Sequence, residues 1–198
     1  LASMGISNTQ SGYLMTIYTI FNMILYVPGG ILADKISARK ALSYSCIATG
    51  ALGFVYLFTM KNLVISLCVW AGFAVSAGFV LWAALYRTVR MIGDENEQGF
   101  LYGVYYACNG LACAIVNMTG VWIYGTGATM ESGFFRATLF GAIVPVAVGI
   151  LLMFLLRGVE EAVQIEDDEP KFSMGDVKEL AKSRVVWYIA IVMLIGYG

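Results

Sequence analysis

The sequence predicts an all-α fold, a polytopic bundle of membrane-spanning helices, and three observations predict it. Of 198 residues, 60% are hydrophobic and only 13% charged, with a mean hydropathy of +0.78. A water-soluble domain carries about 25% charged residues, so the apolar excess is expected to face lipid. The apolar residues also gather in runs of about 20, the length that crosses a hydrocarbon core of about 30 Å. Finally, no Asp, Glu, Lys or Arg lies near the middle of a complete run.

Five complete spans are expected, at residues 11–33, 41–60, 63–86, 100–124 and 134–156. The first contains Pro28 followed by Gly29 and Gly30; the lost backbone donor predicts a local kink. A sixth run opens at residue 185 and stops at residue 198 after about 14 residues, too short to cross. Residues 1–10 begin with Leu1 and have neither the basic start nor the apolar core of a signal peptide, so both ends read as truncations of a longer protein.

Basic residues set the orientation. Alternate loops hold Lys35, Arg39, Lys40, Arg87, Arg90, Arg157, Lys171, Lys178, Lys182 and Arg184 on one side and only Lys61 and Arg136 on the other, a split of ten against two. Lys and Arg near helix ends stay on the cytoplasmic side, which puts Leu1 outside. Between spans five and six, the acidic run Glu160, Glu161, Glu166, Asp167, Asp168 and Glu169 before Pro170 reads as a solvated linker. Ser173 with Asp176 resembles a capping box starting a short amphipathic helix. The organisation is then residues 1–157, a transmembrane part; 158–184, a cytoplasmic linker; and 185–198, the start of a second transmembrane part.

Neutral polar residues at helical spacing carry the functional reading. In the fourth span Tyr102, Tyr106, Asn109, Cys113 and Asn117 share one stripe, as do Ser11, Tyr18, Asn22 and Tyr26 in the first. In the third span Ser76, Ala83, Arg87 and Arg90 align toward the cytoplasmic end. These faces either line a wet central cavity or hydrogen-bond across helix interfaces. Small residues recur at intervals of four, as in Gly99, Gly103 and Ala107, Gly72 with Ser76, and Ala74 with Gly78, and predict close helix approach.

Other chemistries find little support. There is no histidine, and Cys46, Cys68, Cys108 and Cys113 all sit in apolar runs, so neither a metal site, a cofactor nor an intramembrane enzyme is expected. The formal charge of −1 gives no case for nucleic acid.

The most specific segment is the turn Gly30-Ile31-Leu32-Ala33-Asp34-Lys35-Ile36-Ser37-Ala38-Arg39-Lys40. It resembles the signature between the second and third helices of the major facilitator superfamily: Gly30, Leu32, Ala33, Asp34, Lys35, Arg39 and Lys40 match, while Ser37 and Ala38 depart from the usual Gly and Arg. Ser37 can still cap the next helix. Asp34 ends a helix, where the dipole disfavours a carboxylate, so it needs a cation; Arg39, Lys40 and Arg90 are candidates. The resemblance covers the whole chain, as the family's helices two to six, its central cytoplasmic loop and part of helix seven.

It implies a truncated major facilitator bundle, with residues 1–157 the N-terminal half lacking its first helix and 185–198 the start of the C-terminal half. The implied function is secondary active transport of a small solute by alternating access, in a multi-pass protein of the bacterial inner (plasma) membrane. The alternative is a transporter-like receptor that signals without translocating. The implied substrate cavity draws on Tyr18, Asn22, Tyr26, Ser76, Tyr102, Tyr106, Asn109, Cys113 and Asn117, with the first, third and fourth spans facing it and the second and fifth outside. The implied gating turn comprises Gly30, Asp34, Lys35, Arg39, Lys40 and Arg90. The expected partners are the lipid bilayer, a small-molecule or ion substrate with an anion among the candidates, and a coupling proton or counter-solute. Trp82, Arg87, Arg90, Gly93 and Glu97-Gln98-Gly99 look like a bacterial branch described as nitrate, nitrite or organic anion permeases. Asn109 stands before Gly110 where that branch is expected to carry Arg, which argues against anion recognition by a membrane-embedded arginine.

Overall fold

A computed structural model describes residues 7–33, 36–90 and 97–157, the side chain of Val27 excepted. All of them belong to one compact unit within Leu1–Asp167. The elements are α1 (Asn8–Ala33), α2 (Ala38–Thr59), α3 (Leu63–Phe73), a π-helical turn (Ala74–Gly78), α4 (Leu81–Arg90), α5 (Gln98–Gly125) and α6 (Met130–Leu155), with no strand among the described residues. Among the described residues, four stretches are both long and apolar enough to cross a membrane: Ala38–Thr59, Leu63–Arg90, Gln98–Gly125 and Met130–Leu155. The remaining expected span is α1, whose 26 residues continue through Pro28. The expected linker, its short helix and the sixth run lie outside the described residues.

Local chemistry sets the helix starts. Asn62 caps α3 by accepting from the amides of Val64 (3.0 Å) and Ile65 (3.2 Å). Thr129 and Ser132 form a reciprocal capping box on α6, each side chain accepting the other's amide at 3.0 and 3.2 Å. Ser37 holds the capping position of α2 in extended backbone, but its hydroxyl makes no capping bond and, among the described residues, is buried without a partner. There α2 starts on the backbone alone, the Ala41 amide donating to the Ser37 carbonyl at 3.0 Å.

The third expected span is one continuous rod only in length. Its π-helical turn bonds each amide one residue further back than an α-helix does, so the side-chain stripe changes direction across Ala74–Gly78. This breaks the expected alignment of Ser76 with Ala83, Arg87 and Arg90, which assumed an unbroken helical period.

The closest packing joins α2 and α6, which run antiparallel: Gly53 faces Ala142, and Gly149 faces Ser43 and Ile47. A Cβ on Gly53 would lie 2.9 Å from that of Ala142, and one on Gly149 would lie 2.8 Å from the Ser43 carbonyl. Small residues let backbones approach where lipid supplies no hydrophobic drive. Similarly, Gly29 lies against the backbone of Phe79, Gly78 lies under the Asn22 amide, and Gly72 meets Leu52. The expected close approach at Gly99 and Gly103 is not found: among the described residues nothing lies within 4 Å of a side chain added there.

Two small cores result. Ala33, Ala41, Leu42, Val80 and Ala84 join α1, α2 and α4 at the end that the basic residues assign to the cytoplasm. Tyr56, Met60 and Val69 join α2 and α3 at the other end, with Trp70 and Phe134 against them. Near that second end the two isolated cations are both engaged, Lys61 with Glu131 at 2.5 Å and Arg136 with the Thr126 carbonyl at 2.9 Å. Large apolar side chains such as Met23, Phe58 and Met118 point outward, as in a bundle whose solvent is hydrocarbon.

A candidate polar wall on α4 and α5

No residue of α5 is buried, although the helix has 28 residues. One face of its N-terminal third nevertheless has a definite neighbour, Tyr86 of α4. The Tyr86 ring lies 6.2 Å from Trp82 in a stacked arrangement, 6.3 Å from Tyr102 and 6.2 Å from Tyr105. Its hydroxyl is 3.3 Å from that of Tyr106, and the Tyr102 hydroxyl donates to the Tyr86 carbonyl at 3.4 Å. Tyr105 and Tyr106 meet at 5.1 Å. The result is an aromatic wall carrying several phenols, whose rings offer edges and faces and whose hydroxyls both donate and accept.

Further along α5 the stripe becomes a ladder of small polar groups. Asn117 donates to the Cys113 carbonyl at 2.8 Å, and the Cys113 sulfur lies 4.0 Å from the Asn109 amide oxygen. Among the described residues these amides bond within their own helix and to no other. The structure thus brings Tyr102 and Tyr106 together with α4, while Asn109, Cys113 and Asn117 stand exposed on the same helix.

The other cavity candidates are placed differently. Tyr18 packs edge-on against Trp70 at 6.3 Å. Asn22 donates to the Tyr18 carbonyl at 3.1 Å and covers Gly78. Both therefore sit between α1 and the third span, whereas Tyr26, two turns from the end of α1, is exposed. Ser76 is buried against α2, its hydroxyl 2.9 Å from Thr49 and 3.3 Å from the Phe73 carbonyl. That is an interhelical bond of the packing kind, reached through the direction change of the π-helical turn.

Of the turn residues, Asp34 and Lys35 lie outside the described residues. Gly30 is half-buried, with nothing among the described residues within 4 Å of a Cβ added there, Arg39 is half-buried and Lys40 exposed in the first turn of α2, and Arg90 is exposed at the end of α4. The carbonyl of Arg90 accepts from Gln98 at 2.8 Å. Arg87 reaches the end of α1: its guanidinium donates to the Ala33 carbonyl at 3.3 Å. Sequence reasoning placed Arg87 on a stripe and missed this contact. The signal was available, since the negative end of a helix followed by an acid needs a cation, and Arg87 with Arg90 is the basic pair that follows the turn's own Arg39 and Lys40.

Tyr86 was missed as well, although Trp82 and Tyr86 stand four residues apart and Tyr102, Tyr105 and Tyr106 share one face. Among the described residues no group of His, Cys, Asp and Glu could hold a metal ion.

Residues 1–198 match the family model described as Major Facilitator Superfamily. The chain is 28% identical over 192 residues to the inner membrane protein YqcE of Escherichia coli, covering 96% of this chain and 45% of that one. It is 28% identical over 195 residues to the inner membrane protein YihN of the same organism, covering 98% and 46%. An uncharacterized MFS-type transporter, MJ1317 of Methanocaldococcus jannaschii, is 26% identical over 145 residues, covering 72% and 34%. The chain spans about half the length of the first two relatives. No solved structure matches.

Proposed function

We propose, from the premise that this chain belongs to the major facilitator superfamily, that its parent protein moves a small solute across the membrane by alternating access. In this reading α1, α3 with α4, and α5 face the solute path, and the tightly packed α2–α6 pair lies outside it. Two bundles rock about a site near the midplane, exposing it to each side in turn.

The observation supporting this reading is the polar stripe of α5. Two asparagines exposed along one helix face are costly against lipid, and among the described residues no other helix satisfies their amides. A water-filled path would satisfy them. Tyr102, Tyr106, Asn109, Cys113 and Asn117 are then the wall a solute touches, and Tyr26 extends it from α1. The described spans carry no charge near their middles, so recognition there works through neutral hydrogen bonds and ring faces. A coupling carboxylate, where one exists, belongs to another part of the parent protein.

Uptake into vesicles holding the purified full-length parent tests the reading, with panels of labelled small anions and neutral solutes and with or without an imposed proton gradient. Accumulation above the outside concentration is the expected result. Saturable binding without flux would instead identify a solute receptor.

A further inference from the structure

We infer that Arg87 is a positioning residue that couples the polar wall on α5 to the cytoplasmic end of α1, with α4 as the moving part between them. The inference rests on the reading of that wall as solute-facing, and it concerns how the wall communicates.

Three contacts carry it, and each is a side chain holding a backbone carbonyl of the next helix. From α5, Tyr102 holds the carbonyl of Tyr86 at 3.4 Å and Gln98 holds that of Arg90 at 2.8 Å, so α5 grips the last turns of α4 by its backbone. From α4, Arg87 holds the Ala33 carbonyl at 3.3 Å. Ala33 is the last residue of α1 and is 1% exposed, packed in the same small core as Val80, just before α4, and Ala84 in its first turn. A cation on the terminal carbonyl of a helix also meets the negative end of its dipole, so the contact is stronger than a neutral bond.

The backbone around α4 suits a moving part. It is only 10 residues long, and the π-helical turn Ala74–Gly78 separates it from α3. A π-turn interrupts the regular ladder and marks positions where a helix can change direction. Tyr86 and Arg87 are adjacent, about 100° apart around the helix axis. One therefore faces the aromatic wall and the other the end of α1, and a rotation of α4 that shifts one contact shifts both.

Linkage makes the coupling reciprocal, so each contact can be perturbed and the other observed. The test is hydrogen–deuterium exchange of the full-length parent in lipid nanodiscs, read at peptides covering residues 28–33 and 98–106. Arg87→Gln is expected to speed exchange at the α1 end about tenfold, the weight of a charge-assisted hydrogen bond. It should also speed exchange at residues 98–106, which Arg87 does not touch, and Arg87→Lys should restore much of the protection at both. In the converse experiment, Tyr102→Phe removes only the hydroxyl that holds the Tyr86 carbonyl, yet it should speed exchange at residues 28–33.

Acceleration confined to the α1 end in Arg87→Gln would make Arg87 a local cap and overturn the inference, as would no change at either place. If Arg87→Gln fails to accumulate as folded protein, Tyr102→Phe decides alone: unchanged exchange at residues 28–33 refutes the coupling. No solute is needed, so this outcome is independent of whether the parent translocates or only binds.

Discussion

Single polar side chains in this chain divide by what satisfies them. Ser76 and Thr49 satisfy each other between helices, and such a bond in a membrane contributes about 0.6 to 2 kcal/mol. Asn109 and Asn117 bond only within their own helix among the described residues, and in the proposed reading water or solute meets them. Asn109→Leu is accordingly expected to weaken solute binding by about 0.5 to 1.5 kcal/mol, one neutral hydrogen bond, with little effect on expression. Isothermal titration of the variant with a solute found in the uptake screen measures this, and unchanged affinity would return Asn109 to the packing class. The α5 stripe was legible in the sequence because α5 keeps one helical period from Gln98 to Gly125. Ser76 was misread because the period fails at Ala74–Gly78, where no glycine pair or proline announces the π-helical turn. Arg87 was half legible: its charge and place were plain, but its reach to Ala33 is a tertiary distance that spacing along one helix does not encode.

At the scale of elements, the strongest pairing is α2 with α6, and it depends on residues without side chains. Gly53 and Gly149 leave no room for another carbon against Ala142 and the Ser43 carbonyl, while Gly141, one residue from Ala142, has open space around it. Gly53→Val should therefore cost about 1 to 3 kcal/mol through overpacking, whereas Gly141→Val should be nearly neutral. Thermal melts of the two variants of the full-length parent in detergent compare them directly. Equal melting temperatures would mean that the α2–α6 contact is not close-packed in the assembled protein. Span positions were readable from hydropathy and length alone, and the five helical regions fall where the apolar runs predict. Which small residues would pack was not readable, since Gly99 and Gly103 have the same spacing signal as residues that do meet a neighbour. Spacing identifies a smooth helix face, but not the helix that covers it.

At the scale of the whole molecule, α5 is the element whose surroundings matter most, for it is apolar enough to span the membrane yet buries nothing in the described unit. Its thiols, Cys108 and Cys113, are both exposed here, and surface exposure by itself does not separate lipid from water. Chemistry does, because only a thiolate attacks a thiol reagent and hydrocarbon suppresses its formation. Cys113 lies near the middle of α5 on the polar stripe, and Cys108 lies off it. The decisive measurement is labelling of Cys113 in the full-length parent by a membrane-impermeant thiol reagent, applied to right-side-out and to everted membrane vesicles. Alternating access along the polar wall predicts that Cys113 reacts from both sides, and faster than Cys46 and Cys68. Inertness of Cys113 from both sides would contradict the account and make the stripe a packing surface, and reaction from one side only would replace a transport path with a fixed pocket.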